Sequence, residues 1–199
     1  MTLLDFKATE TSRQRRAPVL ETERLTLRAP RSDDAKAIAA LANDRRIAEN
    51  MPRIPHPYRL ADAENFIATA NADDGEHAFL ITRGATVLGA CKIARRNGEE
   101  PEIAYWLGVA YWGQGYATEA ARALIDHAFG DLGCDRLAGG ARVSNPASRR
   151  VLEKCGFQWT GVGLYRIRAL ASSAPVDRFR LDRRLWASLK SWGKVSTGG

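Results

Sequence analysis

The run Tyr111-Trp112-Gly113-Gln114-Gly115-Tyr116-Ala117-Thr118-Glu119 constrains this chain more than any other part of it. Two glycines one residue apart let the backbone turn tightly and expose successive N–H groups. The segment behind them has a helical period. Ala117, Ala120, Ala121, Leu124, Ile125, Ala128 and Phe129 form an apolar face, and Thr118, Glu119, Arg122 and Asp126 form the other. The first turn of such a helix adds unpaired donors and the positive end of its dipole. Upstream, Ile103-Ala104-Tyr105-Trp106-Leu107 is a short apolar run read as a buried strand. A glycine pair alone is only a turn. Placed between a strand and a helix, it becomes a cradle for an anion, a diphosphate in particular. It is neither of two better-known phosphate loops. Tyr116 and Ala117 stand where a P-loop needs lysine and a hydroxyl, and Thr118 stands where the dinucleotide fingerprint needs glycine.

At 199 residues the chain has room for one domain with a substantial core. No apolar run approaches the roughly 20 residues of a membrane helix. Residues 1–17 carry Asp5 and Glu10 and lack the apolar segment of a secretory signal, so the cytoplasm is the expected location. Cys91, Cys134 and Cys155 are odd in number and widely spaced, and His56, His77 and His127 are scattered, so neither a disulfide scaffold nor a metal site is expected. Cys155, beside Val151 and Leu152, reads as a small buried thiol. The net charge of +7 is a mild basic excess, compatible with a polyphosphorylated ligand or an acidic partner. Direct nucleic-acid binding is not expected from it, nor is membrane binding.

Along the chain, residues 1–17 are expected to form a mobile basic arm, 18–190 one domain and 191–199 a flexible tail. Leu25 and Leu27 alternate with polar neighbours in a half-buried strand, and Ser32 or Asp33 caps a helix through Leu41. Three prolines make 51–60 an irregular loop, followed by a helix over 61–70. His77 to Arg83 and Thr86 to Arg95 form a hairpin around Gly84-Ala85, and a turn near Asn97-Gly98 leads to a strand over 102–109. After the long helix come a strand over 136–143 and a helix capped by Asn145 with Pro146 at its first position, ending at Gly156. Phe157 to Gly163 and Val176 to Trp186 are read as the last strands, with 164–175 as a loop. The order is α+β or α/β, with a mostly antiparallel sheet early and helix–strand alternation late.

These residues resemble the GCN5-related N-acetyltransferases, and within them the branch that acetylates ribosomal-protein N-termini. The resemblance rests on Glu21-Thr22-Glu23-Arg24-Leu25-Thr26-Leu27-Arg28, on the strand at 103–107, and on the glycine turn. It continues in Asn145-Pro146-Ala147-Ser148-Arg149-Arg150-Val151-Leu152-Glu153-Lys154-Cys155-Gly156-Phe157, and spans about 19–187. It implies an acyl-CoA N-acyltransferase fold: a seven-stranded, mostly antiparallel sheet flanked by helices and splayed between its fourth and fifth strands, with acetyl-CoA in the split. Gly113, Gln114, Gly115, Tyr116, Ala117 and Thr118 would surround the CoA diphosphate, with backbone N–H groups of the turn as donors. Main-chain groups of Leu107 and Val109, and Asn145, would face the pantetheine arm. Trp112 replaces the arginine or glutamine of many members, as it commonly does in the ribosomal-protein branch. Leu152 stands where many members carry a tyrosine acid, so the usual group that protonates the thiolate is missing.

Acetyl transfer from a thioester needs a neutral amine, a donor for the developing oxyanion and a proton for the departing thiolate. The Val109 N–H is the candidate oxyanion donor. Glu102 is the candidate base, acting through water, although Glu99, Glu100 and Glu102 also read as a solvated acidic turn. Ser148, one helical turn from Asn145, is the best remaining candidate beside the sulfur, with Tyr111 and Tyr116 near the turn. His56, Tyr58 and Tyr165 are candidates to line the acceptor side. The leading acceptor is a protein N-terminal amine. The alternatives are a small amine, such as a polyamine, an amino acid or an aminoglycoside, and a non-catalytic RNA-binding module using Arg178, Arg180, Arg183 and Arg184. A broad acidic groove would favour peptide or polycation acceptors, and exposed edge strands allow a homodimer.

Overall fold

The central hairpin forms where apolar residues crowd both faces of the chain. Phe79 and Ile81 enter one core while Leu80 enters another, so the strand is a continuous buried run. The computed structural model describes residues 18–70, 77–95 and 99–195. Its elements, in chain order, are β1 (Leu20–Glu21), β2 (Thr26–Arg28), α1 (Ala35–Ala42), α2 (Arg45–Ala48), α3 (Leu60–Ala70), β3 (His77–Arg83) and β4 (Thr86–Ala94). They continue with β5 (Glu102–Leu107), α4 (Tyr116–Gly130), β6 (Arg136–Arg142), α5 (Pro146–Lys154), β7 (Gln158–Ile167), β8 (Ser172–Asp182) and α6 (Arg183–Val195). The basic arm and the Asn97-Gly98 turn lie outside the described residues.

The sheet is eight-stranded, in the order β1-β2-β3-β4-β5-β6-β8-β7, and every neighbouring pair is antiparallel except β5 with β6. The strand beyond the expected seven is the two-residue β1, so the split falls between β5 and β6. These two pair only at Glu102–Ala138 and Ile103–Gly139, and then part. One face of the sheet carries α4 and α5 over Phe79, Ile103, Leu107 and Phe179. The other carries α1 and α3 over Leu80, Val87, Ala90 and Trp106.

A bulge shapes β4 beside the split. Ile81 pairs with Gly89 and Thr82 with Val87, which leaves Leu88 as an extra residue. The faces of β4 change there: Leu88 and Cys91 share one core, Val87 and Ala90 the other. Gly89 has to be glycine, because a Cβ would collide with the Trp106 carbonyl of β5.

Several expectations needed correction. The strand read as 102–109 stops at Leu107, and Val109–Tyr111 form a 3-10 turn. The loop read at 164–175 is a hairpin of β7 and β8, with only the 3-10 turn Arg168–Leu170 and Ala171 between them. The strand read through Trp186 ends at Asp182, where α6 takes over and reaches past the start of the expected tail. Arg183 makes that break: its N–H donates to the Asp135 carbonyl, and its guanidinium takes the carbonyls of Cys134 and Phe129. Trp186 then lies against Phe129, with its indole N–H on Asp126 at 2.7 Å. Leu185, Trp186 and Leu189 follow a helical spacing that alternation had masked. β8 is also interior to the sheet, and β7 is the edge.

Candidate active site

The glycine turn opens α4 as its residues require. Gly113 and Gly115 have φ of 74° and 82°, a left-handed region that costs other residues about 1–2 kcal/mol. Gly115 is the N-cap of α4 and gives its carbonyl to Glu119 N–H. Among the described residues, none of the N–H groups from Gly113 to Thr118 donates to a backbone carbonyl. That is a row of donors at a helix N-terminus, suited to a diphosphate. The side chain of Gln114 folds back to the Ala110 carbonyl, and Tyr116 is buried, its hydroxyl accepting from Arg83 at 3.0 Å.

The segment between β1 and β2 clamps this turn from behind. Glu119 accepts from the Thr22 hydroxyl at 2.7 Å, from the Arg24 N–H at 2.8 Å and from the Arg24 guanidinium at 2.7 Å. The same guanidinium donates to the Gln114 carbonyl at 3.1 Å and sits 4.7 Å over the Tyr116 ring. Burial works to raise the Glu119 carboxyl, but Thr22 and Arg24 outweigh it and hold it below its ordinary 4.5. In the sequence, Thr22-Glu23-Arg24-Leu25 stands out only as a family mark, and its mechanical role is not legible there. The i, i+3 and i+4 bookkeeping of one helix cannot show a partner 95 residues away.

In the split, main-chain direction is fixed by two bonds. Ala138 N–H donates to Pro101 at 2.8 Å, and Gly108 N–H donates to Leu88 on the opposite side at 2.8 Å. Odd-numbered residues of β5 therefore point their peptide groups toward β6. Past Ile103 the pairing has ended, so Tyr105 and Leu107 face the gap with these groups. The Leu107 carbonyl accepts the Trp112 indole N–H at 2.8 Å. Val109 lies beyond the strand, half-buried in the 3-10 turn, so its N–H is positioned by that turn and not by the strand as expected.

The gap opens into a cavity of about 1470 Å³, which touches the glycine turn, α5 and the opposite wall of α2, α3 and the residues after α2. Asn145 and Ser148 both line it. Asn145 caps α5 by accepting from Ser148 N–H at 3.1 Å. The Ser148 hydroxyl and carbonyl each lie 3.2 Å from the hydroxyl of Tyr105, a pairing the sequence reading missed. Alternation could have found it, since Tyr105 shares the face of Ile103 and Leu107 on the α5 side. Burial pushes the Tyr105 hydroxyl well above its ordinary 10.0, so it stays protonated. Leu152, in the position of the absent tyrosine acid, is a fully buried core residue against Gly139.

Glu102 lies on the other face of β5. Its carboxylate is 3.4 Å from where a Cβ on Gly140 would be, so the missing side chain of Gly140 makes its room. Tyr58 and Tyr165 line the cavity with it, whereas His56 is not part of the wall. Tyr111 lines it too. The wall is not the acidic groove expected to favour peptide or polycation acceptors, because Arg46, Arg53, Arg142 and Arg168 belong to it beside Glu49, Asp62 and Glu102.

The remaining groups are structural. Cys91, Cys134 and Cys155 are buried free thiols, and burial raises Cys155 to about 11. His127 is buried with a ring nitrogen 2.7 Å from Asp131. Among the described residues, no group of three or more His, Cys, Asp or Glu is placed to hold a metal, and no helix is long and apolar enough to cross a membrane. Two of the arginines considered for RNA are engaged: Arg180 with Glu100 at 2.9 Å, and Arg183 with the carbonyls described above.

A split mixed sheet with an open N–H cradle at its mouth defines an acyl-CoA-binding transferase, and residues 24–158 match the acetyltransferase (GNAT) domain. The chain belongs to the GNAT family, as an acetyl-CoA-dependent N-acetyltransferase. It is 30% identical over 176 residues to the uncharacterized N-acetyltransferase p20 of Bacillus licheniformis, covering 84% of this chain and 98% of that one. Its fold matches RimL, a ribosomal L7/L12 alpha-N-protein acetyltransferase solved with coenzyme A, at a TM-score of 0.72 and 17% identity, over 83% of this chain and 98% of that one. It also matches spermidine N-acetyltransferase of Vibrio cholerae, solved with CoA and spermine, at a TM-score of 0.71 and 21% identity, over 83% and 99% of the two chains.

Proposed function

We propose that the chain acetylates the N-terminal amine of a protein, as the ribosomal-protein branch of the family does. The observation that carries this reading is the size of the cavity as a whole, coenzyme cleft and Glu102 side together. At about 1470 Å³ it exceeds the roughly 300–1,000 Å³ usual for a small ligand, which leaves room for a chain end beside the coenzyme arm. The likeness in fold to RimL supports it.

Acetyl-CoA supplies the activated thioester, and the protein positions and moves protons around it. N–H groups from Gln114 to Thr118 hold the diphosphate, while peptide groups of Tyr105 and Leu107 face the pantetheine arm. Glu102 accepts a proton from the incoming ammonium, through water, so that the neutral amine attacks. The Tyr105–Ser148 pair donates a proton toward the leaving sulfur, in place of the tyrosine that Leu152 has displaced. Arginines in the acceptor wall oppose the polyamine reading, since like charges repel.

Release of thiol from acetyl-CoA, measured against peptides and small amines together, tests this reading. Turnover with peptides and little with spermidine supports it, and the reverse overturns it. Glu102→Gln is expected to slow transfer most at lower pH, where the amine is protonated. An unchanged pH–rate profile removes Glu102 from the mechanism.

A further inference from the structure

The two edges of the sheet are built differently. β1 has two residues, whereas β7 runs for ten, from Gln158 to Ile167. Edge strands are commonly blunted by shortness, proline, charge or a covering segment, because an open margin pairs with other chains. β7 has a bulge between Trp159 and Gly161, and just past its other end the Pro52 carbonyl takes the Arg168 N–H at 3.0 Å. Between these points, residues 161–167 hold no proline and no acid, and one charge, Arg166.

The direction of the outer peptide groups follows from β8. The Pro175 carbonyl accepts the Val143 N–H at 3.1 Å, so odd residues of β8 turn toward β6 and even ones toward β7. Val176 and Ala174 pair with Gly163 and Tyr165, so Val162, Leu164 and Arg166 turn their N–H and C=O groups outward. Among the described residues, no loop bonds to these groups. The three side chains share one face, with Leu164 76% exposed and Val162 more than half exposed. Pro175 and Val143 continue the Leu164 row across β8 toward β6. Trp159 extends the apolar strip on that face, its indole N–H fixed to Asp177 at 2.9 Å, and it and Val143 are more than half exposed. Single apolar residues at a surface are ordinary, but a contiguous strip beside unspent backbone groups marks an interface.

We propose that β7 joins two copies of this chain, antiparallel about a two-fold axis at Gly163, so that the sheet runs on from one copy into the other. Around Gly163 the strand reads alike in both directions, Gly161-Val162-Gly163-Leu164-Tyr165. In that register Val162 exchanges backbone bonds with Leu164 of the second copy, and Leu164 with its Val162, so two apolar pairs meet beside the axis. Arg166 lies opposite the bulge at Thr160, and no like charges meet. A two-fold contact needs only one self-complementary patch, which β7 supplies, whereas a foreign peptide would have to bring a matching strand of its own. Tyr165, which lines the acceptor cavity, falls beside Gly161 of the second copy, a residue with no side chain to intrude there. The inference does not rest on which amine is acetylated.

Sedimentation of the full chain from nanomolar to high micromolar concentration is expected to show a monomer–dimer equilibrium. Leu164→Lys and Val162→Glu, both at exposed positions, are each expected to weaken it about 100-fold, as loss of a central contact does. Combined in one chain, the two substitutions bring opposite charges face to face on both sides of the axis, and are expected to recover about tenfold of that loss. Gly163→Cys is expected to link two copies through a disulfide under mild oxidation, because opposed residues of a non-hydrogen-bonded pair lie about 4.5 Å apart, within disulfide reach. Leu164→Cys is expected not to, since its counterpart is two positions away, and the native cysteines are buried. A chain that stays monomeric throughout, a dimer that Leu164→Lys leaves unchanged, or a combined variant as weak as the single ones overturns the proposal. So does linkage through Leu164→Cys but not Gly163→Cys. A monomer whose acceptor KM rises in Leu164→Lys would assign this edge to the acceptor, and overturns it as well.

Discussion

Tyr105 shows how one residue changes character with its surroundings. On the strand face it continues the alternation of Ile103 and Leu107, yet its hydroxyl meets Ser148 at the mouth of α5. Burial keeps the phenol protonated above its ordinary 10.0, so it can give a proton but does not serve as a base near neutrality. Tyr105→Phe is expected to lower kcat about 100-fold, the low end for a general acid, while KM for acetyl-CoA stays near its starting value. Ser148→Ala is expected to act in the same direction and less than additively, because the two hydroxyls form one unit. Single-turnover rates for both variants and the double variant check this. Additive losses would mean that Ser148 and Tyr105 work separately. The sequence displayed Ser148 through its spacing from Asn145 but hid Tyr105, since an aromatic residue in an apolar strand looks like core.

At the scale of elements, the glycine turn is held by a segment on the far side of the sheet edge. Thr22 and Arg24 tie Glu119 and the Gln114 carbonyl, so the peptide planes at the mouth of α4 are set before any anion arrives. Arg24→Ala is expected to raise KM for acetyl-CoA about tenfold, while the acceptor KM changes little, because the guanidinium's bonds to Glu119 and to the Gln114 carbonyl are lost together and the turn loosens. The clamp is also sensitive to acid. The Glu119 carboxyl is depressed in the folded chain, so its contribution is present above the unfolded value near 4.5 and is lost as pH falls through the lower folded value. A CoA-binding isotherm should hold from pH 7 to about 4.5 and weaken in the wild type only as pH falls further, through the lowered folded value. Glu119→Gln should already be weak at pH 7 and change less over that range. Local pattern made the strand–turn–helix and the capped α5 legible, since glycine spacing, helical period and an Asn-Pro start are written within a few residues. The clamp, the bulge at Leu88 and the end of β8 are set by distant contacts. At Arg183 the carbonyls of Cys134 and Phe129 decide where the strand stops, and no periodicity reports them.

Across the whole molecule, two half-sheets are joined at only two residue pairs of β5 and β6, then diverge. Between paired strands peptide groups satisfy one another; beside Tyr105 and Leu107 they face the gap, where the Leu107 carbonyl takes the Trp112 indole N–H. An unpaired strand margin on a protein surface invites another chain, whereas this one is enclosed between α4 and α5 on one side and the Glu102 wall on the other. On the placement proposed above, the coenzyme would take the place of a ninth strand, and loading it would complete the architecture. Saturating CoA at about 100 times its Kd should therefore stabilise the fold by about 2.7 kcal/mol, read as a raised unfolding midpoint. The amides of Tyr105 and Leu107 should become slow to exchange with deuterium at the same time. A midpoint shift without that local protection would mean that the coenzyme is gripped by its phosphates alone. Metabolic supply would then govern more than rate: a cell short of acetyl-CoA and CoA would hold this enzyme in its more perishable form.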